Sequence, residues 1–211
     1  MFLDRKDAGE KLSIELENFK DEDPIVLAIP RGGIVTAYET IKKLGGQWDL
    51  IIPRKIGSPH NKEIAIGAVS LDGTYLLNEE FIDILNISQE YIKKEIFKQT
   101  EEIKRRLHKY KGNESFPDVK NKTVLIIDDG IATGFTIQAA IKSIKKHDPK
   151  KIILAVPVAS QDTISLLEKI VDEVICLLIP TEFYAVGLHY KSFEQTTDDE
   201  VINIVNELKK E

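Results

Sequence analysis

A chain of 211 residues with 42% apolar and 30% charged side chains has globular composition and enough length for one sizeable core, which excludes a disordered or low-complexity protein. Its net charge of −6 argues against a general nucleic-acid binder, and no apolar run approaches the roughly 20 residues a membrane span needs. The N-terminus is charged from Asp4 to Lys6 without a signal-peptide core. The lone cysteine, Cys176, leaves no disulfide framework and reads as a buried strand residue, so a cytoplasmic protein is expected.

In chain order, a helix around Leu12–Phe19 precedes a first apolar run, Ile25–Ile29, which suits a strand buried on both faces of a parallel sheet. Pro30-Arg31-Gly32-Gly33 follows and opens the helix Ile34–Leu44. Two glycines allow close backbone approach, Arg31 can fork onto phosphate oxygens, and the helix N-terminus adds its dipole, so this turn is expected to cradle an anion. A second strand, Leu50–Ile52, leads into Arg54-Lys55 and the loop Ile56–Glu63, where the two cations could neutralise a second anionic group. Residues 64–77, with Asp72-Gly73 between two apolar runs, predict a β-hairpin. Ser88–Tyr110 reads as a long polar helix, and the basic clusters at 103–111 and 142–151 as solvated helix faces.

The third strand, Val124–Ile127, is the most informative. It delivers Asp128 and Asp129 to its C-terminal edge, where open α/β sheets bind ligands. Gly130-Ile131-Ala132-Thr133-Gly134-Phe135-Thr136 then forms a turn into the helix Ile137–Lys146. Gly130 and Gly134 permit tight turning, and Thr133 and Thr136 supply hydroxyl donors, so the segment forms a phosphate cup. Two carboxylates would repel that anion and suit vicinal hydroxyls instead, directly or alongside a metal. Phosphate plus diol points to a ribose phosphate. Strands at Ile152–Val156 and Val174–Leu178, separated by a helix over Thr163–Val171, complete an α/β pattern: a doubly wound, mostly parallel sheet flanked by helices. Thr197 or Asp198 caps a last helix (Val201, Ile204, Val205, Leu208), expected to pack with the N-terminal one.

Val124 to Thr136 resembles the signature of type I phosphoribosyltransferases, which bind 5-phosphoribosyl-1-pyrophosphate (PRPP), and the likeness extends over nearly the whole chain. The resemblance implies a single domain with a core of about 22–180, a hood from 1–20 and 181–211, and a hairpin arm at about 56–78. It implies a Mg²⁺-dependent transfer of the phosphoribosyl group from PRPP to a nitrogenous base, with Mg²⁺ held through PRPP and water. Residues 130–136 would take the 5-phosphate. Arg31, Gly32, Gly33, Arg54 and Lys55 would take the pyrophosphate, with Arg31, Lys55, Asp128 and Asp129 as the catalytic set. In such enzymes the turn at Pro30-Arg31 often holds a non-proline cis peptide, which is expected here.

Phe183-Tyr184-Ala185-Val186-Gly187 is similar to the acceptor segment of 6-oxopurine enzymes, which makes Phe183, Tyr184 and Val186 the acceptor residues and Tyr184 the stacking ring. The chain departs from those enzymes at Ala132, where they carry a further aspartate, and Ala155–Ser160 lacks their base-reading lysine. Adenine and orotate enzymes also have alanine at the first position. The nearest pattern is therefore a phosphoribosyltransferase subgroup with an unassigned acceptor. A homodimer is expected by analogy. The alternative is a PRPP-sensing regulator that binds a partner or RNA without turnover. A PRPP-making pyrophosphokinase shares the acid pair but would need a nucleotide-binding half absent from this sequence.

Overall fold

The computed structural model describes residues 1–210. In chain order the helices are α1 (Arg5–Glu15), α2 (Gly32–Leu44), α3 (Glu79–Ile84), α4 (Gln89–Lys111), α5 (Phe135–Lys145), α6 (Gln161–Leu167) and α7 (Asp198–Leu208). The strands are β1 (Ile25–Ala28), β2 (Trp48–Leu50), β3 (Arg54–Gly57), β4 (Ala65–Val69), β5 (Tyr75–Leu77), β6 (Thr123–Ile127), β7 (Lys151–Val158) and β8 (Glu173–Leu178). The residues pack as two compact units: one of Met1–Leu50, Pro117–Gly134 and the chain from Asp148 onward, the other of Ile51–Phe116 and Phe135–His147.

The first unit is built on a five-stranded parallel sheet of order β2-β1-β6-β7-β8. Every residue of β1 and β6 is buried, and all of β7 but its first, as continuous apolar runs require when helices cover both faces. The chain leaves β1 outward to β2 and returns to β6 on the other side of β1. The strand order therefore reverses between β1 and β6, and at such a point the diverging connections open a crevice at the C-terminal strand ends.

Two strands differ from their sequence-based expectation. The run Leu50–Ile52 is a strand only up to Leu50; Ile51 and Ile52 are buried but lie outside the sheet. Pro53 lacks an N–H for the ladder and constrains the residue before it, so pairing stops ahead of it. Cys176 is half-buried rather than buried because β8 is an edge strand; its thiol donates to the Leu178 carbonyl at 3.3 Å.

Helix α2 presents Ile34, Ala37, Ile41 and Leu44 to the core at helical spacing and packs on β1 and β6. Gly9 of α1 lets that helix approach α2 closely, since a Cβ there would lie 2.4 Å from the Thr36 carbonyl oxygen. The N-terminal and tail helices, expected to pack together, each pack on α2, and α1 also reaches β7 and β8. Helix α7 begins in a capping box formed by Thr197 and Glu200. Helix α6 is shorter than the sequence suggests, running from its Ser160 cap only to Leu167.

The second unit holds an antiparallel sheet of order β3-β4-β5, against which α3, α4 and α5 pack. The predicted hairpin is β4–β5. Gly73 takes φ of +77°, and the Asp72 carboxylate accepts from the Thr74 N–H at 2.9 Å and hydroxyl at 2.6 Å, which closes the turn. Strand β3 was not expected: Arg54-Lys55-Ile56-Gly57 carries too little apolar alternation to read as a strand, and its pairing with β4 is what defines it. No helix among the described residues is long and apolar enough to cross a membrane.

Candidate active site

The loops after β1 and β6 meet at the reversal of strand order, and their packing explains the local sequence. The Ile29 N–H donates to the Ile127 carbonyl at 3.0 Å, extending the ladder to the edge. The Pro30–Arg31 peptide bond is cis, as the resemblance led us to expect. A Cβ on Gly33 would lie 2.9 Å from the Ile127 carbonyl oxygen and 3.0 Å from Asp128 Oδ1; one on Gly32 would lie 1.9 Å from Asp129 Oδ2. Both glycines are thus demanded by contact with the acid pair.

The two carboxylates are in different surroundings. Asp128 Oδ1 accepts from the Asp129 N–H at 2.8 Å. Burial, and next the charge of Asp129, push the Asp128 carboxyl well above the usual carboxylate range, with that N–H and the charge of Arg5 opposing. Asp129 Oδ2 instead accepts from Arg5 Nε at 2.6 Å, in an ion pair whose side chains are 13% and 16% exposed. The Tyr190 hydroxyl donates to the Asp129 carbonyl at 2.6 Å, and burial followed by the Asp129 charge pushes that phenol upward. Neither Arg5 nor Tyr190 belongs to a recognisable motif.

The segment after the acid pair is fastened at successive residues. Gly130 has φ of +151° and faces Val186, to whose Cγ1 an added Cβ would come within 2.5 Å. The Ile131 N–H donates to the Val158 carbonyl at 3.0 Å, and the Ala132 carbonyl accepts from the Thr163 hydroxyl at 2.6 Å. Ala132 and Thr133 remain exposed, and Gly134 takes φ of +70°. Phe135 and Thr136 are the first residues of α5, in the second unit.

The remaining candidates are more scattered. Arg31 Nη1 lies 3.6 Å from Asp198 Oδ1, a pair open to solvent and so of small energetic weight. Phe183 and Val186 pack against a cluster of Phe2, Ala8, Val158 and Tyr190, and Phe183 stacks on His189 at 5.6 Å. Tyr184 is 77% exposed. In the second unit, Arg54 Nε donates to Gln99 Oε1 at 2.6 Å, and burial, then the nearby Arg106 charge, lower its pKa. Lys55 pairs with Glu63 at 3.0 Å on the surface.

A parallel sheet reversing at β1/β6, with an acid pair on one loop and a glycine turn on its neighbour, sets these residues where open α/β sheets bind ligands. Residues 3–192 match the phosphoribosyl transferase domain, and the chain belongs to that family of transferases. Two Mycobacterium tuberculosis proteins, from strains CDC 1551 and H37Rv, each named "Putative phosphoribosyl transferase", are 36% identical over 202 residues. The match covers 96% of this chain and 46% of theirs, so the chain spans about half the length of these curated relatives. TT1426 from Thermus thermophilus shares 35% identity with a TM-score of 0.81, covering 98% of both chains. AQ2163 from Aquifex aeolicus, 16% identical with a TM-score of 0.55 over 87% of this chain and 78% of its own, shares the fold.

Proposed function

We propose that the chain is a Mg²⁺-dependent phosphoribosyltransferase that moves the 5-phosphoribosyl group of PRPP onto a purine- or pyrimidine-like nitrogenous base, releasing pyrophosphate. The observation that carries this reading is the direct abutment of the Asp128–Asp129 pair on the Pro30–Gly33 turn. This contact supports reading the two carboxylates as diol acceptors beside a glycine-lined anion turn.

In this reading the base nitrogen attacks ribose C1 as pyrophosphate departs, through a loose transition state with oxocarbenium character. The acid pair accepts hydrogen bonds from the ribose hydroxyls and fixes C1 against the nucleophile. The backbone N–H groups of Gly32 and Gly33 and the half-exposed Arg31 guanidinium meet the leaving pyrophosphate, and residues 130–136 take the 5-phosphate. The roles of Arg54 and Lys55 on pyrophosphate, and of Phe183, Tyr184 and Val186 on the acceptor, rest on the family resemblance. No general base is assigned.

Among the described residues no group of three or more His, Cys, Asp or Glu side chains is placed to hold a metal. The donors at the crevice are two carboxylates, one of them already paired with Arg5, and this set fits a hydrated Mg²⁺ that arrives on the oxygens of PRPP. When bound there, Mg²⁺ would offset the charge building on pyrophosphate. A cytoplasmic role in nucleotide salvage and a homodimeric state belong to the same proposal.

The test is pyrophosphate release from Mg-PRPP by the purified chain across a panel of bases. Release that depends on one base establishes transfer and names the acceptor. PRPP binding with no release from any base would instead favour a PRPP-sensing regulator.

A further inference from the structure

The least expected side chain at the acid pair is Arg5, which enters from the first turn of α1 and lies 124 positions from its carboxylate partner. Three contacts fix it. Nε donates to Asp129 Oδ2 at 2.6 Å, Nη1 donates to the Glu194 carbonyl at 2.7 Å, and the guanidinium carbon stands 3.8 Å from the centroid of the Phe193 ring. Phe193 packs on Tyr190 with ring centroids 4.8 Å apart, and Tyr190 itself donates to the Asp129 backbone. The side chain and the main chain of Asp129 are therefore gripped by one packed stack of Arg5, Phe193 and Tyr190.

This grip is selective. Arg5 engages only Oδ2 of Asp129, and the neighbouring Asp128 carboxyl lies within hydrogen-bonding reach of the same carboxylate. An ionised carboxylate has about four lone-pair sites, so a single guanidinium bond to Oδ2 restrains the group and leaves lone pairs for a ligand hydroxyl. The site has also been shaped around the pair: a Cβ on residue 32 would come 1.9 Å from Asp129 Oδ2 and 2.6 Å from Arg5 Nε, so the turn between β1 and α2 accommodates glycine at that position and no larger residue without displacing the ion pair. With the guanidinium only 13% exposed and held at three points, Arg5 is built into the site and is not a loosely placed cation that a ligand would push aside.

We propose that Arg5 is a positioning residue for ribose recognition: it holds the Asp129 carboxylate in one rotamer, with its remaining lone pairs presented to a vicinal hydroxyl of the phosphoribosyl donor. This rests on the reading of the acid pair as the diol site. Arg5 acts through Asp129 and not on the pyrophosphate, and that distinction makes the role separable from general structural support.

The experiment is a calorimetric double-mutant cycle on the full chain with R5Q, D129N and the double variant, using Mg-PRPP and Mg-pyrophosphate as separate probes. R5Q is expected to weaken Mg-PRPP about tenfold, the scale of losing one charge-assisted hydrogen bond, with Mg-pyrophosphate unchanged. R5K recovers part of the loss, and in the D129N background R5Q adds nothing. Should R5Q fail to fold, R5K runs the same cycle. Losses that add in the double variant, or a parallel fall for Mg-pyrophosphate, or tighter PRPP binding by R5Q, each overturn the proposal. If D129N itself binds Mg-PRPP like the wild type, or the wild type does not bind it, the diol reading falls and takes this role with it; D129N weakened while R5Q matches the wild type removes the Arg5 role alone.

Discussion

The Thr163 hydroxyl donates to the Ala132 carbonyl at 2.6 Å, so the first turn of α6 pins the loop that follows the acid pair. The same hydroxyl accepts from Ser160 Oγ at 2.9 Å, and Ser160 caps α6 by accepting the Thr163 N–H. One buried residue thus ties helix initiation to the shape of the loop that follows the acid pair.

Thr163→Val keeps the volume and removes the bond, leaving the Ala132 carbonyl without its donor. The expected cost is about 1–2 kcal/mol in urea unfolding, together with weaker PRPP binding as the loop loses its anchor. Thr163→Ser, which keeps the hydroxyl, should retain most of the PRPP affinity. Equal affinity in the valine and serine variants would show that the loop holds its shape without this bond.

Gly32→Ala tests the contact between the turn and the ion pair. The added Cβ would sit 1.9 Å from Asp129 Oδ2, and displacing either the turn or the Arg5–Asp129 pair is unavoidable. We expect destabilisation of about 1–3 kcal/mol, the range for overpacking, and a severe loss of PRPP affinity. By contrast, Gly112→Ala, where nothing lies within 4 Å of the new Cβ but φ is +83°, should cost stability while leaving PRPP affinity intact. Similar ligand affinities in the two variants would contradict the assignment.

Much of this site could be read from sequence because its parts are local. Val124–Ile127 is apolar throughout, so its strand and the edge position of Asp128 and Asp129 follow from burial alone; Gly130, Gly134 and the Pro30–Gly33 turn announce themselves by residue type. Arg5 does not. Its role depends on a partner 124 residues away, and nothing in Asp4-Arg5-Lys6 separates a largely enclosed guanidinium from a solvated charge. The same limit hid β3, whose pattern exists only in its pairing with β4, and the Arg31–Asp198 contact, which joins the glycine turn to the start of α7.

The acid pair should leave a mark on pH-dependent stability. The folded chain retains the Asp128 proton at a pH where the unfolded chain has released it, because burial and the Asp129 charge raise that carboxyl. Below the unfolded value, about pH 4, both states are protonated and the effect vanishes; above it, stability falls by up to about 1.4 kcal/mol per unit until the folded carboxyl ionises. Glu102, whose carboxyl is held down at about 2 chiefly by its hydrogen bond to Arg105, contributes in the opposite sense at lower pH, so the difference between two proteins is the quantity to read. Urea midpoints of the wild type and Asp128→Asn from pH 4 to 8 should diverge, with the variant gaining on the wild type as pH rises. Parallel curves would mean that Asp128 ionises as readily in the fold as outside it.

Tyr190→Phe isolates the main-chain half of the grip on Asp129. The ring contacts with Phe2, at 5.3 Å between centroids, and with Phe193 survive the change, and only the 2.6 Å hydroxyl bond to the Asp129 carbonyl is lost. The phenol is 5% exposed, so no water readily replaces it, and the orphaned carbonyl should cost about 1–2 kcal/mol. If the backbone at Asp129 sets the height of the carboxylate above the turn, PRPP affinity falls as well, although the Arg5 ion pair remains. Loss of stability with full PRPP affinity would place the whole of the positioning in the Arg5 side chain, since the tyrosine would then be holding the strand end and nothing that the ligand senses.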